Sequence, residues 1–294
     1  MKWRGRRTSS NIEDRRGAGM RAGRGRMPRM VRVGGGRAGG LGAIAVVLLG
    51  LYFGVDLTPL LTGGAIVAPQ EEVAAAPPPS DDPRAQFVGV VLADTEEIWS
   101  GIFTGMDLRY RPPNLVLFDG QTRSACGYAS AATGPFYCPG DRKAYLDLDF
   151  FRVLERELGA KGDFAAAYVI AHEVAHHVQN ELGILPEVSR LRAAAGTTEA
   201  NQLSVRLELQ ADCLSGVWAH HAEARFGSLE PGDIDEALGA ASRIGDDALQ
   251  RRAGGVVVPD SFTHGTSAQR VRWFRAGFES GNPNSCDTFA AGRL

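Results

Sequence analysis

The stretch Tyr168 to Val178 restricts this chain more than any other. It reads Tyr-Val-Ile-Ala-His-Glu-Val-Ala-His-His-Val and holds the H-E-x-x-H pattern inside an apolar run. On a helix, His172 and His176 stand one turn apart and about 40° apart around the axis. Two imidazoles in that relation can close on one ion at the usual Zn–N distance of roughly 2.0–2.1 Å. Glu173 falls beside the ligand face, where its carboxylate can reach a metal-bound water without itself ligating. Ile170, Val174 and Val178 repeat on the opposite side and should bury it. A bare H-E-x-x-H also occurs on solvated helices, but the uncharged flanks here argue against that. Asp163 is the expected N-cap, Gly183 the expected C′ residue, and Pro186 follows.

A catalytic zinc needs a third protein ligand and one open position. The elongated pattern, with Gly and His three and six residues past the second His, is absent: those positions are Gln179 and Leu182. The better source is Leu207-Glu208-Leu209-Gln210-Ala211-Asp212-Cys213-Leu214, an E-x-x-x-D on a second long helix. Glu208 would complete His172, His176 and Glu208 around one Zn²⁺. Asp212, one turn on, would accept a ring N–H from a ligand histidine. Solvated carboxylates are the plain alternative. The apolar neighbours, including Val217 and Trp218, oppose it, because a buried acid needs a partner.

With these residues in view, the chain resembles the Glu-ligand zincins. It is closer still to the bacterial family of neutral zinc metallopeptidases. The matching blocks are Gly134 to Pro139, Ala171 to Gln179, Arg206 to Trp218, and Ser261-Phe262-Thr263-His264-Gly265-Thr266-Ser267 running to Arg270, within residues 86 to 290. The resemblance implies a zincin-like, mostly helical α+β domain with a small sheet, and hydrolysis of peptide bonds. It also implies an edge strand just before the metal helix that pairs with an extended peptide. His264 is implied as the donor to a developing oxyanion, a role the chemistry requires. Tyr137 and Tyr145 are weaker candidates for contact with substrate or for the same donor role.

Charge divides the chain unevenly. Of 32 Lys and Arg and 34 Asp and Glu, residues 1–37 hold 12 and two. The remainder is then 20 basic against 32 acidic, a net of −12, which argues against a nucleic-acid partner. Residues 38–55 are 18 residues without a charge, against a lower limit of about 17 for a spanning helix. The expected layout is a basic cytoplasmic tail (1–37), a single transmembrane helix (38–55), a Pro/Ala-rich linker (56–85) and the metallopeptidase domain (86–294) outside the cytoplasm. The bilayer and an envelope peptide or protein substrate are the expected partners. A cleaved signal peptide is disfavoured by the long basic region and by Pro69 after the small residues.

Within the domain, Asp94-Thr95-Glu96-Glu97 reads as the capping-box start of a helix bearing Ile98, Trp99, Ile102 and Phe103. Strands are expected at 114–118, 136–138 and 144–147, and a helix from about Phe150 to Leu158. Gly232-Asp233 should begin a helix running through Leu249, and Thr266-Ser267 the last helix, with Val271, Phe274 and Phe278 as its stripe. Cys126, Cys138, Cys213 and Cys286 allow three pairings. The short loop favours Cys126–Cys138, leaving Cys213–Cys286. His177, His220 and His221 are not expected to be ligands.

Two other functions share these residues. Two histidines and a carboxylate also hold Fe(II) for oxygen chemistry, although that leaves Glu173 without a role. A catalytically silent peptidase-like binding module is the second alternative.

Overall fold

The computed structural model describes residues 1–17, 81–130 and 134–294. The expected transmembrane helix, most of the linker and residues 18–37 lie outside them. Among the described residues no helix is long and apolar enough to cross a membrane.

The first long helix among the described residues, α1 (Pro83–Gly105), starts eleven residues before the expected capping box. Asp82 caps it through the N–H groups of Arg84 and Ala85, and Pro83 fits the first turn, where no N–H is needed. Asp94 and Glu96 are therefore buried in mid-helix, which a local capping pattern cannot reveal. Their partners are distant in sequence. Arg6 grips Asp94 bidentately at 2.7 and 2.8 Å, and Ser9 and Asn11 donate to Glu96. The opening residues come this close because Gly89 has no side chain: a Cβ there would lie 3.1 Å from that of Thr8.

Residues 12–14 form β1 (Ile12–Asp14), which lies parallel to β2 (Asn114–Phe118). The expected tail is thus corrected for residues 1–17. They belong to the folded unit, and β1 cannot sit across a bilayer from its own sheet. Arg16 also pairs with Asp82 at 2.5 Å, so the chain leaves this unit and re-enters it at neighbouring points. Arg6, Arg7, Arg15 and Arg16 each form an ion pair within the unit.

A hairpin follows, β3 (Gln121–Ser124) with β4 (Gly127–Ser130), and then β5 (Phe136–Cys138) and β6 (Lys143–Asp147). The main sheet has the order β1-β2-β6-β5, parallel except for β5, which runs antiparallel on the edge. Helix α2 (Asp149–Arg156) leads to the central helix α3 (Asp163–Glu181). The N-cap of α3 is Gly162 rather than Asp163. Glu236 accepts the Phe164 N–H in the place of a local cap, and the Asp163 side chain is engaged by Trp3.

Helices α4 (Ile184–Ala194) and α5 (Thr197–Phe226) follow. The expected single helix of 232–249 is two, α6 (Asp233–Arg243) and α7 (Asp246–Arg252). The break is at Gly245, where a Cβ would lie 2.4 Å from the Ser267 nitrogen. The last helix, α8 (Ser267–Ser280), carries a capping box of Thr266 and Gln269.

The result is a mostly helical α+β fold with two small sheets. One core of buried side chains joins α1, α3, α5 and α8, with Trp99, Phe164, Tyr168, Trp218 and Phe274 among its largest members. Helices α5 and α8 cross at two glycines. A Cβ on Gly216 would lie 2.0 Å from the Phe274 carbonyl oxygen, and one on Gly277 1.9 Å from that of Cys213. Both disulfides, Cys126–Cys138 and Cys213–Cys286, are formed.

Candidate metal centre

Helix α3 brings His172 and His176 to one face, and α5 brings Glu208 to meet them. One donor atom from each lies within 4.8 Å of the others. His172 Nε2 is 3.1 Å from one Glu208 oxygen, and His176 Nε2 is 3.5 Å from the other. A carboxylate spanning two imidazole nitrogens at these distances faces the point that one divalent ion would occupy.

The electrostatics favour positive charge there. Burial raises the Glu208 pKa, but His176 and His172 hold it well below the ordinary carboxylate range. Burial lowers the His172 pKa, yet its contacts with Asp212 and Glu208 raise it overall, to about 10. The carboxylates of Glu208 and Asp212 around the buried His172 ring make the site anionic. A divalent cation satisfies the same demand, so two histidines and one carboxylate fit zinc in chemistry and in number.

Glu173 is placed differently. Among the described residues no donor or cation engages its carboxylate at hydrogen-bond or ion-pair distance. Burial raises its pKa, and the nearby histidines only partly oppose the shift. A half-buried, unengaged carboxyl with a raised pKa is suited to take up a proton.

Asp212 lies behind His172. One of its oxygens is 3.0 Å from His172 Nδ1, with the ring N–H off the line between them. The same carboxylate accepts from Tyr168 at 2.5 Å and bidentately from Arg270 at 2.8 and 2.9 Å. Tyr168 and Arg270 were not foreseen as part of the site. The signal was a basic residue next to Val271 on an otherwise apolar helix face.

The cleft over these groups encloses about 810 Å³. Its walls include Gly134 to Tyr137 at the β5 edge, Phe150, Val153 and Leu158 near α2, and Ile244, Leu249 and His264. His264 Nδ1 is 3.1 Å from Asp246. The second Asp246 oxygen accepts the backbone N–H groups of Thr263, His264 and Gly265 at 2.6–2.9 Å. The hydrogen bond to Asp246 raises the His264 pKa, and burial opposes it. One carboxylate, at the helix start created by the Gly245 break, therefore holds the whole His264 loop.

The tyrosines differ. Tyr137 lines the cleft, but its hydroxyl meets His177 Nδ1 at 3.0 Å. The Arg111 carbonyl can only accept, so His177 donates to it from Nε2 and accepts from Tyr137 at Nδ1. Tyr145 is corrected: it is buried, stacked on Phe136 and donating to Asp141, and does not line the cleft. Residues 144–147 of its strand are buried in succession, so both faces of β6 are covered. His220 and His221 bond to the carbonyls of Phe278 and Gly281, away from the ion site.

Residues 1–289 match the family described as "Putative neutral zinc metallopeptidase". The chain belongs to the neutral zinc metallopeptidase family. The match begins at residue 1, in keeping with β1 being part of the sheet. Among relatives of this family chain, the uncharacterized protein YpfJ of Escherichia coli K12 is 50% identical over 293 residues, covering 98% of this chain and 99% of its own. The uncharacterized protein Rv2575 of Mycobacterium tuberculosis H37Rv is 45% identical over 209 residues, 68% of each chain. The uncharacterized protein Mb2605 of Mycobacterium bovis matches to the same extent. No solved structure matches the chain.

Proposed function

We propose that this metallopeptidase is a zincin-like endopeptidase that cleaves extended peptides at the His172–His176–Glu208 centre. The observation that carries the reading is the pairing of that three-ligand cluster with an unengaged Glu173 beside it. Bound Zn²⁺ supplies Lewis acidity and lowers the pKa of water at this position. Glu173 accepts a proton from the attacking water and returns it to the leaving amine nitrogen. His264, oriented by Asp246, donates to the oxygen on which negative charge develops. Strand β5 is antiparallel on the sheet edge and borders the cleft, so an extended substrate backbone can pair with it whatever its side chains.

The two disulfides favour a site of action outside the cytoplasm, on peptides or proteins of the cell envelope. Attachment to the bilayer through residues 38–55 is part of the proposal. Because β1 pairs within the domain's own sheet, residues 1–17 and the domain lie on one side of the bilayer, so this attachment is not the single crossing expected from the sequence.

The test compares wild type with Glu173→Gln. New protein N-termini in the envelope should appear with wild type and vanish with the variant, while both retain one zinc per chain. Equal N-terminal profiles would remove the peptidase reading, and iron in place of zinc would favour oxygen chemistry.

A further inference from the structure

We propose that Gln179 is a positioning residue that sets the ring tautomer of His176, and that Gln210 and the tail at Cys286 hold Gln179 in place to do so. The inference rests on the reading of His176 as a metal ligand. Gln179 occupies the position where the elongated zincin pattern would carry glycine, and its side chain is fully buried between α3 and α5.

The orientation of the amide follows from its neighbours. The carbonyl oxygen of Cys286 can only accept, so Gln210 turns its Nε2 toward it, at 3.1 Å. The Gln210 Oε1 is thereby left facing Gln179 Nε2 at 3.0 Å. The second acceptor is the Leu207 carbonyl, 2.8 Å from the same nitrogen. Two acceptors on one side require the NH₂ group there, so Gln179 Oε1 points at His176 Nδ1, 2.9 Å away. Turning the amide over would set its oxygen against both acceptors. Each buried group left without a partner costs about 1–3 kcal/mol.

The consequence falls on the ring. With an acceptor fixed at Nδ1, His176 carries its proton there, and the lone pair of the neutral ring is at Nε2. That nitrogen is the one facing Glu208. His172 is treated differently, since its Nδ1 faces the Asp212 carboxylate. Holding the second histidine with a neutral amide sets its tautomer without adding another negative charge behind an already anionic site. The chain of contacts ends at Cys286, which the disulfide ties to Cys213 on the helix that carries Glu208. The C-terminal turn is thereby connected to a metal ligand through two side-chain amides.

The experiment uses the full chain and two variants, Gln179→Leu and Gln179→Glu. In the metal-free protein at mildly alkaline pH, nitrogen-15 NMR of the histidine rings should show His176 as the Nδ1–H tautomer. Gln179→Leu should lose that preference and weaken Zn²⁺ affinity, measured by chelator competition, by roughly 10–100-fold. Gln179→Glu keeps an acceptor toward Nδ1 and should retain the tautomer, although its second oxygen faces the Leu207 carbonyl and Gln210 Oε1 and lowers stability. An Nε2–H tautomer in wild type overturns the proposal. So does an unchanged tautomer in Gln179→Leu, or an equal loss of the tautomer in both variants, which would mean that Gln179 only fills space. Because the tautomer is read without metal, a wild-type chain that bound no zinc would defeat the peptidase reading and still leave this one decided by the ring spectrum.

Discussion

Arg270 and Asp212 form a fully buried bidentate ion pair, 2.8 and 2.9 Å, directly behind the His172 ring. It couples the last helix to the metal site. Burial lowers the Arg270 pKa, but Asp212 holds it well above its ordinary value, and burial of Asp212 is likewise overcome by Arg270 and His172. Replacing Arg270 by Met leaves a buried carboxylate whose remaining partners are Tyr168 and His172. Breaking one side of such a pair costs about 3–5 kcal/mol. Chemical denaturation of Arg270→Met should show a loss of that size, and zinc should offset part of it by neutralising the site. A loss under about 1 kcal/mol would mean that water replaces the guanidinium.

Catalysis should depend on pH through two groups. The Glu173 carboxyl lies above its ordinary value, so the base is lost as pH falls through that raised pKa. The acidic limb of kcat/KM should therefore lie above the usual carboxylate range, and Glu173→Gln should reduce the rate by roughly 10²–10⁴-fold. His264 is also raised, so a protonated donor persists to higher pH than for a free imidazole. Asp246→Asn removes the charged partner that raises it and should move the alkaline limb to lower pH, with metal content unchanged. An alkaline limb that does not move would detach His264 from catalysis.

Burial raises the Asp94 pKa from 3.8 to about 6, against the pull of Arg6. A carboxyl raised in the folded state binds more protons there than in the unfolded chain. It therefore costs stability as pH rises from the unfolded value to about 6. Arg6→Met should raise that pKa further. The variant should lose about 1.5–3 kcal/mol at neutral pH and recover most of it below the pKa of Asp94. Denaturation of wild type and variant at pH on either side of that value checks this. Equal losses at both would mean that the loss does not arise from the charge on Asp94.

The crossing of α5 and α8 allows no side chain at its closest point. Gly277→Ala must push the helices apart, because the added carbon meets the Cys213 carbonyl at 1.9 Å. Helix propensity alone would favour alanine by up to about 1 kcal/mol. Overpacking costs about 1–3 kcal/mol, or more against backbone. A net loss of stability and of zinc affinity is expected, since α8 carries Arg270. A gain in melting temperature would contradict the packing.

Much of the metal site could be read along the chain. His172, Glu173 and His176 lie within one turn, where helical geometry alone sets which side chains share a face. Glu208 and Asp212 stand out because acids one turn apart on an apolar helix need a partner. The two cysteine pairs followed from an even count and one short loop. What failed did so where partners are remote. Asp94-Thr95-Glu96-Glu97 has the composition of a helix start, yet Arg6, Ser9 and Asn11 satisfy its acids in mid-helix. Tyr145 as a contact with substrate assumed a side chain open to the cleft, and β6 is buried on both faces. The break at Gly245 follows from the approach of Ser267.

Local spacing thus determined that His172 and His176 share a face with Glu173 beside it, because side-chain placement on one helix depends only on the residues of that helix. Tertiary structure alone decided that residues 1–17 complete the sheet, that Arg270 neutralises Asp212, and that Gln179 and Asp246 orient His176 and His264. Apart from the His176–Gln179 contact itself, those outcomes depend on desolvating charged and polar groups beside partners remote in sequence. No short window of sequence contains that free energy.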